Sequence, residues 1–423
     1  MAPRFLSLPG VILAYLVYTY GFPAYKSLGI FGAFRTPGSS PHDVVVIPDT
    51  VNCEDIHYEP LTGNIFTACE DNVETRFGWF PPLANFDDPE LGRKGKGSIH
   101  VIDPKTMKSE RLTFENFDST FVTHGIDVIP DLERADEAVY IIAINHVPDP
   151  KLPRARSQLE IFHHVLGSSF VRHIRSVWHP LIRTPNDVFA SSPTSIYVSN
   201  DHYYRDHGIM RTLEDFWFHA KWTDTVHVEV DLKVTGDSAA GVQGNVALSN
   251  FHNNNGLGHG RSADEILIAS CTSGEMHIGK VSEDQRNGNI TLVDVVGVDA
   301  IVDNPTYFDD PYAKSTGDNR SGFLLPGLAK ALELAGTHRE PDATNSVIVY
   351  FVRPNQGKPG SATTWEKRVL FEDDGKRIRS ASGSVLVAID PESEPERASG
   401  ARKGWLFVTG FQSKNVIAVK VDL

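Results

Sequence analysis

Short apolar runs of strand length, separated by Gly, Pro, Asn, Asp and Ser, make up most of this chain. The stretch Pro185 to Tyr204 reads PNDVFASSPTSIYVSNDHYY. Val188 to Val198 is rich in β-formers and broken by a Ser-Ser-Pro-Thr-Ser turn, which predicts a hairpin of two short strands. Asn186 and Asp187 stand before it; Asn200, Asp201 and His202 stand after it. That order, a polar pair, a strand, a polar exit and a further strand, recurs in six degenerate copies. They open at Glu54-Asp55, His124-Gly125-Ile126, Asn186-Asp187, Asn255-Gly256, Asp303-Asn304 and Ser382-Gly383-Ser384. In the fifth copy the strand near Phe323 is poorly defined. With about four strands per copy, the pattern predicts an all-β fold, a six-bladed β-propeller around a central channel.

Helical spacing is rare. His207 to Lys221 puts Ile209, Leu213, Phe216, Trp217 and Ala220 on one face, and Pro326 to Leu334 is a second candidate. These are the short helices expected over the channel mouth. The first, with Phe216, Trp217, Phe218 and Trp222, has two readings: packing into the core, or an interfacial helix that dips into a membrane beside the pocket. At the N-terminus, Phe5 to Tyr25 is mostly apolar and long enough to span a bilayer. Pro9, Gly10 and Pro23 argue against a buried core helix. Tyr and Phe crowd the end of the run and leave no clean cleavage site. Residues 1–35 are therefore read as an N-terminal hydrophobic helix acting as an uncleaved signal-anchor, and 36–423 as the propeller domain. Sequons at Asn289 and Asn319 fit a glycosylated lumenal or secreted body in the secretory pathway.

Composition narrows the partners. The net charge of −14 argues against nucleic acid, whose phosphates need a Lys/Arg surface, and suits a protein that holds cations. Three Cys are too few for a disulfide scaffold; there is room for one bridge, Cys53 and Cys69 flank a predicted hairpin, and an odd thiol remains. In a propeller, equivalent positions of each blade lie on one ring. If the polar pairs start the innermost strands, Glu54, His124, Asn186, Asn255 and Asp303-Asn304 converge at one channel mouth. Each pair alone is an ordinary turn dipeptide; the recurrence is the signal. Hard oxygens suit Ca²⁺, which takes six to eight of them at roughly 2.3–2.6 Å. Zinc would want His or Cys at motif spacing, and neither H-E-x-x-H nor paired C-x-x-C occurs. No G-x-S-x-G elbow supports a serine nucleophile.

FVTHGIDVIPD, VYIIAINHVPD, PNDVFASSPTSIYVSNDHYY, NNNGL and IVDNP, in that order, resemble the serum paraoxonase/arylesterase family of six-bladed propellers, across most of the chain. The resemblance implies hydrolysis of lipophilic esters or lactones with two Ca²⁺ ions in the channel. It places a catalytic ion at Glu54, Asn186, Asn255, Asp303 and Asn304, with Asn250, Asn253 and Asn254 as neighbours that compete with Asn255. It places a deeper structural ion at Asp55, Asp187 and the Ile126 carbonyl. A histidine dyad maps onto His124, the expected general base, and His146, which would orient it; Asp201 and His202 match the pocket wall. The family's disulfide between the chain ends has no counterpart, since no Cys precedes Cys53 and Val421 stands near the end. Closure must then rest on strand pairing between the two ends. A further pocket histidine expected after Asp303-Asn304 is missing, which bears on substrate range. The insertion Asp71 to Gly97, with Arg93, Lys94 and Lys96, lies where the family has a mobile active-site loop and is either a lid or a solvated loop. Rival classes are gluconolactonase-like or strictosidine-synthase-like propeller enzymes and a non-catalytic, calcium-stabilised binding propeller.

Overall fold

The structure, a computed structural model, describes residues 44–86, 88–152, 154–206, 208–217, 219–282, 288–355, 363–393 and 401–423, with Gly10, Ile12 and Tyr15. The expected signal-anchor otherwise lies outside the described residues. Among those residues, no helix is long and apolar enough to cross a membrane.

Six mainly antiparallel sheets form a six-bladed β-propeller. The innermost strands are Cys53–Glu59, Thr123–Pro130, Pro185–Ser192, Asn254–His259, the broken pair Ile301–Val302 and Thr306–Phe308, and Ala381–Ala388; they pack against one another around the axis. Five of the six polar groups singled out in the sequence lie within these strands. Asp303 and Asn304 fall in the break of the fifth. The expected hairpin is Pro185–Ser192 with Ser195–Asn200. The ill-defined strand is Gly322–Leu328, which takes in Pro326 because Leu325 and Leu328 are buried there and Pro326 pairs with Val349. The second helix is therefore shifted from Pro326–Leu334 to Ala331–Thr337.

Middle strands read as unbroken apolar runs because both of their faces are buried. In Ala138–Asn145, Ile141 and Ala143 pack toward the first blade while Ile142 and Ile144 pack toward the third. Each of the six interfaces between neighbouring blades carries one such apolar cluster. The ring closes through Val44–Ile47, which pairs antiparallel with Val416–Val419, so both ends of the chain build the last blade. The one disulfide, Cys53–Cys69, spans the first hairpin between directly opposed residues, and Cys271 stays free.

Around the axis, one device repeats. Asp55 accepts the N–H of its own neighbour Ile56 (2.8 Å) and that of Ile126 on the next blade (3.1 Å). Asp127 does the same with Val128 (2.8 Å) and Ala190 (2.6 Å). Asp187 does so with Val188 and Leu257, both at 2.7 Å. All three carboxylates are at most 1% exposed, so each hydrogen bond is made out of water. Buried hydrogen bonds contribute about 0.5–1.5 kcal/mol each, and more to a charged acceptor.

Ile47 is fully buried in the closing strand. Ile47→Ala is expected to lower the unfolding free energy by about 2–5 kcal/mol. A urea midpoint unchanged from wild type would show that this strand does not hold the ring shut.

Candidate active site

At one end of the channel, Glu54 is 1% exposed and its Oε1 accepts the Asn304 amide at 3.0 Å. The Glu54 carbonyl is held by the Ser382 and Thr409 hydroxyls of the last blade. Asn304 is fixed through its N–H on the Ser382 carbonyl at 2.9 Å. Two glycines allow the inner strands to come this close: a Cβ on Gly256 would lie 2.5 Å from Asn304 Oδ1, and one on Gly125 would lie 2.3 Å from Asp187 Oδ1.

Five oxygens here are buried without a hydrogen-bond partner: Glu54 Oε2 and the Oδ1 atoms of Asn186, Asn254, Asn255 and Asn304. Each such group costs about 1–3 kcal/mol if left unpaired. Burial, and then the neighbouring carboxylates, hold the Glu54, Asp187 and Asp303 carboxyls well above the usual range. A surplus of hard oxygen donors and negative charge is what a hard divalent cation relieves, so the residues present fit calcium. Among the described residues, no cluster of three or more His, Cys, Asp or Glu is set to hold a metal, because the donors here are mostly Asn amides. Of the competing asparagines, Asn250 is exposed, Asn253 Oδ1 accepts the Thr272 N–H, and Asn254 is tied by its amide to Thr225. The Oδ1 atoms of Asn254 and Asn255 both stay unpaired, so either of these neighbours can supply a donor. Asp55 and Asp187, expected around a deeper ion with Ile126, have no orphaned oxygen, and Ile126 meets Asp55 through its N–H.

His124 and His146 come together in the next layer. His146 Nε2 lies 3.2 Å from His124 Nδ1, and His146 Nδ1 lies 2.8 Å from the Ser157 hydroxyl. His124 Nε2 faces Glu54 Oε1 at 3.9 Å. Burial holds His124 well below its ordinary pKa, with His146 and Arg76 adding to the effect, and burial pushes His146 down to about 3. Both rings are neutral at physiological pH, as a proton acceptor must be. Ser157 has no local sequence signal; only the third dimension brings it under His146.

The insertion after Asp71 is a folded roof. It contains the helices Val73–Gly78 and Pro89–Arg93 and a short strand pair. Trp79 donates its ring N–H to the His146 carbonyl at 2.8 Å. Phe80 packs edge-on against His124 (5.1 Å) and His146 (6.2 Å). The Arg76 guanidinium lies 4.2 Å from the Phe80 centroid and donates to the carbonyls of Asn52 and Thr123.

Asp201 and His202 are buried, and they anchor the helix Ile209–Phe216. His202 Nδ1 is 2.9 Å from Asp201 and its Nε2 is 2.8 Å from Asp215 on that helix. Glu214 accepts the backbone N–H groups of Tyr203 and Tyr204, and Arg211 reaches the Pro82 carbonyl of the roof. The polar face thus turns inward. Ile209 (86% exposed), Leu213 (43%) and Trp217 (46%) face solvent, which corrects the reading in which this stripe packs into the core.

A family profile described as Arylesterase matches residues 91–317, more than half of the chain. Mouse serum paraoxonase/arylesterase 1 is 26% identical over 301 residues, covering 71% of this chain and 74% of the relative. Chicken serum paraoxonase/arylesterase 2 is 28% identical over 247 residues, covering 58% and 62%. Rabbit serum paraoxonase/lactonase 3 is 26% identical over 317 residues, covering 73% and 75%. Among solved structures, a luciferin-regenerating enzyme aligns with a TM-score of 0.45 at 10% identity, over 89% of this chain and 95% of that one.

Burial lowers the pKa of His202 and is the largest single effect, but the Asp201 and Asp215 carboxylates together outweigh it and the net shift is upward. Its ion pairs therefore add stability that is fully present below the unfolded value near 6.5 and is lost as pH rises through the folded value. The stability gap between wild type and His202→Leu is expected to narrow as pH rises above the unfolded value near 6.5 in urea melts. A gap that widens over that range would contradict this assignment.

Proposed function

The chain belongs to the arylesterase family, and from that footing we propose that it is a calcium-dependent hydrolase of lipophilic carboxylic esters or lactones. One observation carries the reading: Glu54 Oε2 and the Oδ1 atoms of Asn186, Asn255 and Asn304 are buried without a partner, and His124 Nε2 faces the same Glu54 carboxylate at 3.9 Å. Those residues, with Asp303, would hold the ion. Calcium, when bound, supplies a Lewis acid that polarises the substrate carbonyl.

The chain's own groups do the rest. His124 takes the proton of the attacking water at Nε2, while its Nδ1–H donates to His146 Nε2 and His146 Nδ1–H donates to Ser157. This line of hydrogen bonds fixes one tautomer of each ring and stabilises the imidazolium that forms. The roof residues Trp79 and Phe80 exclude bulk water from the dyad, which keeps it neutral between turnovers.

The outward apolar stripe of Ile209, Leu213 and Trp217 supports contact with a lipid surface next to the site, a source of lipophilic substrate. Exposed Asn289 and Asn319 fit glycosylation of a body in the secretory pathway, anchored or secreted.

Hydrolysis of phenyl acetate and a lactone panel is expected to disappear in EDTA and return with calcium. His124→Gln is expected to lower turnover by about 10²–10⁴-fold while calcium still binds in titration calorimetry. Glu54→Gln is expected to lose both. A folded, calcium-loaded wild type with no activity on the panel would instead favour a binding propeller. In a separate test, Ile209→Asp with Leu213→Asp is expected to cut sedimentation with phospholipid vesicles several-fold while hydrolysis of a water-soluble ester is retained; equal sedimentation would remove the lipid contact.

A further inference from the structure

We infer that the channel is built for one ion, and that the position beneath the ring, where a second is expected, is filled by the protein's own N–H donors. This rests on the proposed calcium at the ring.

The two layers differ in kind. The upper one leaves five oxygens without partners. In the layer below, Asp55 Oδ1 accepts the Ile56 N–H, and its Oδ2 accepts both the Ile126 N–H at 3.1 Å and His57 Nε2 at 3.0 Å. A carboxylate has about four lone-pair positions, and three of these are already filled. Asp187 has a backbone N–H on each oxygen. Calcium needs about six to eight oxygens around it. Asp55 has one position left and Asp187 two, well short of that number without loosening amides that also join neighbouring blades.

What stands below Asp55 is a ladder of alternating carboxylates and imidazoles. His57 bridges Asp55 to Asp127, with Nδ1 3.6 Å from Asp127 Oδ1. Asp127, already holding Val128 and Ala190, also takes His259 Nε2 at 2.9 and 3.1 Å. His259 packs against Phe189 with its ring tilted by 35°, 4.3 Å between centroids, and its side chain is 36% exposed. The ladder thus runs from the floor of the ring to solvent and links blades one, two and four. Its rungs are imidazole nitrogens facing carboxylate oxygens, so the acceptors of Asp55 and Asp127 are met from within the chain.

The test is a count. The full chain is equilibrated with excess calcium, gel-filtered and analysed for metal by plasma emission, with calorimetry as a second count. One ion per chain is expected; two would overturn the inference. A wild type that binds none would overturn the proposed function instead. The double variant Glu54→Gln with Asn304→Ala separates the layers: its count is expected to fall to zero and its melting temperature to stop rising with calcium. One remaining ion, or a calcium-dependent rise that persists, would place an ion in the lower layer and refute the inference. In the single variant Asp55→Asn, a count still at one supports it, and a fall from two to one refutes it.

Discussion

The aspartate clasp is the constraint on which the channel depends. A propeller has no continuous backbone ladder between blades, so apolar clusters give cohesion without register. Asp55, Asp127 and Asp187 supply register. Each carboxylate locks its own strand at one N–H and the next blade at another. Because the bonds are buried, a slip of one residue would leave an unpaired carboxyl group in the interior, at a cost of several kcal/mol. The ring of Glu54, Asn186, Asn255 and Asn304 inherits its alignment from these joints. A donor ring for a cation needs its oxygens at matching heights, and that is set one residue away from each of Glu54 and Asn186.

The roof acts on the chemistry through desolvation more than through contact. Trp79 and Phe80 hold His124 and His146 out of water, and burial is the leading cause of both downward pKa shifts. Arg76 adds in the same direction, since a fixed positive charge opposes imidazolium formation nearby. In the proposed hydrolysis, a base kept neutral in this way would be ready to take a proton, but its conjugate acid would be less stable. The hydrogen bonds to His146 and Ser157 and the facing Glu54 carboxylate offset that.

Much of this was legible in the sequence where the signal is local or repeats. The six polar groups, the hairpin at Val188–Val198, the closure by the two chain ends and the pairing of His124 with His146 all follow from spacing or from ordered motifs. What was not legible depends on contacts distant in sequence. Asp127 sits in a run where nothing marks it as the partner of Ala190, sixty-three positions on. His57 and His259 read as two of 17 unremarkable histidines until the channel brings them to one carboxylate. The helix at Ile209 shows a different limit: periodicity finds an apolar face but not its direction. Arg211 and Glu214 decide that, because their partners, the Pro82 carbonyl and the Tyr203 and Tyr204 amides, lie inside.

The same helix is tied to the site from two sides. His202 joins it to the strand exit beside Asp201, and Arg211 joins it to the roof that covers the dyad. Its exposed Ile209, Leu213 and Trp217 therefore lie on an element rigidly linked to both walls of the pocket. An apolar surface held in this way has a mechanical consequence that a loose loop would not. In the proposed lipid contact, docking would orient the channel mouth toward the layer, and the Arg211–Pro82 link would carry a tilt of the helix to the roof. Lipophilic substrate would then meet a site whose roof is already coupled to the surface it comes from.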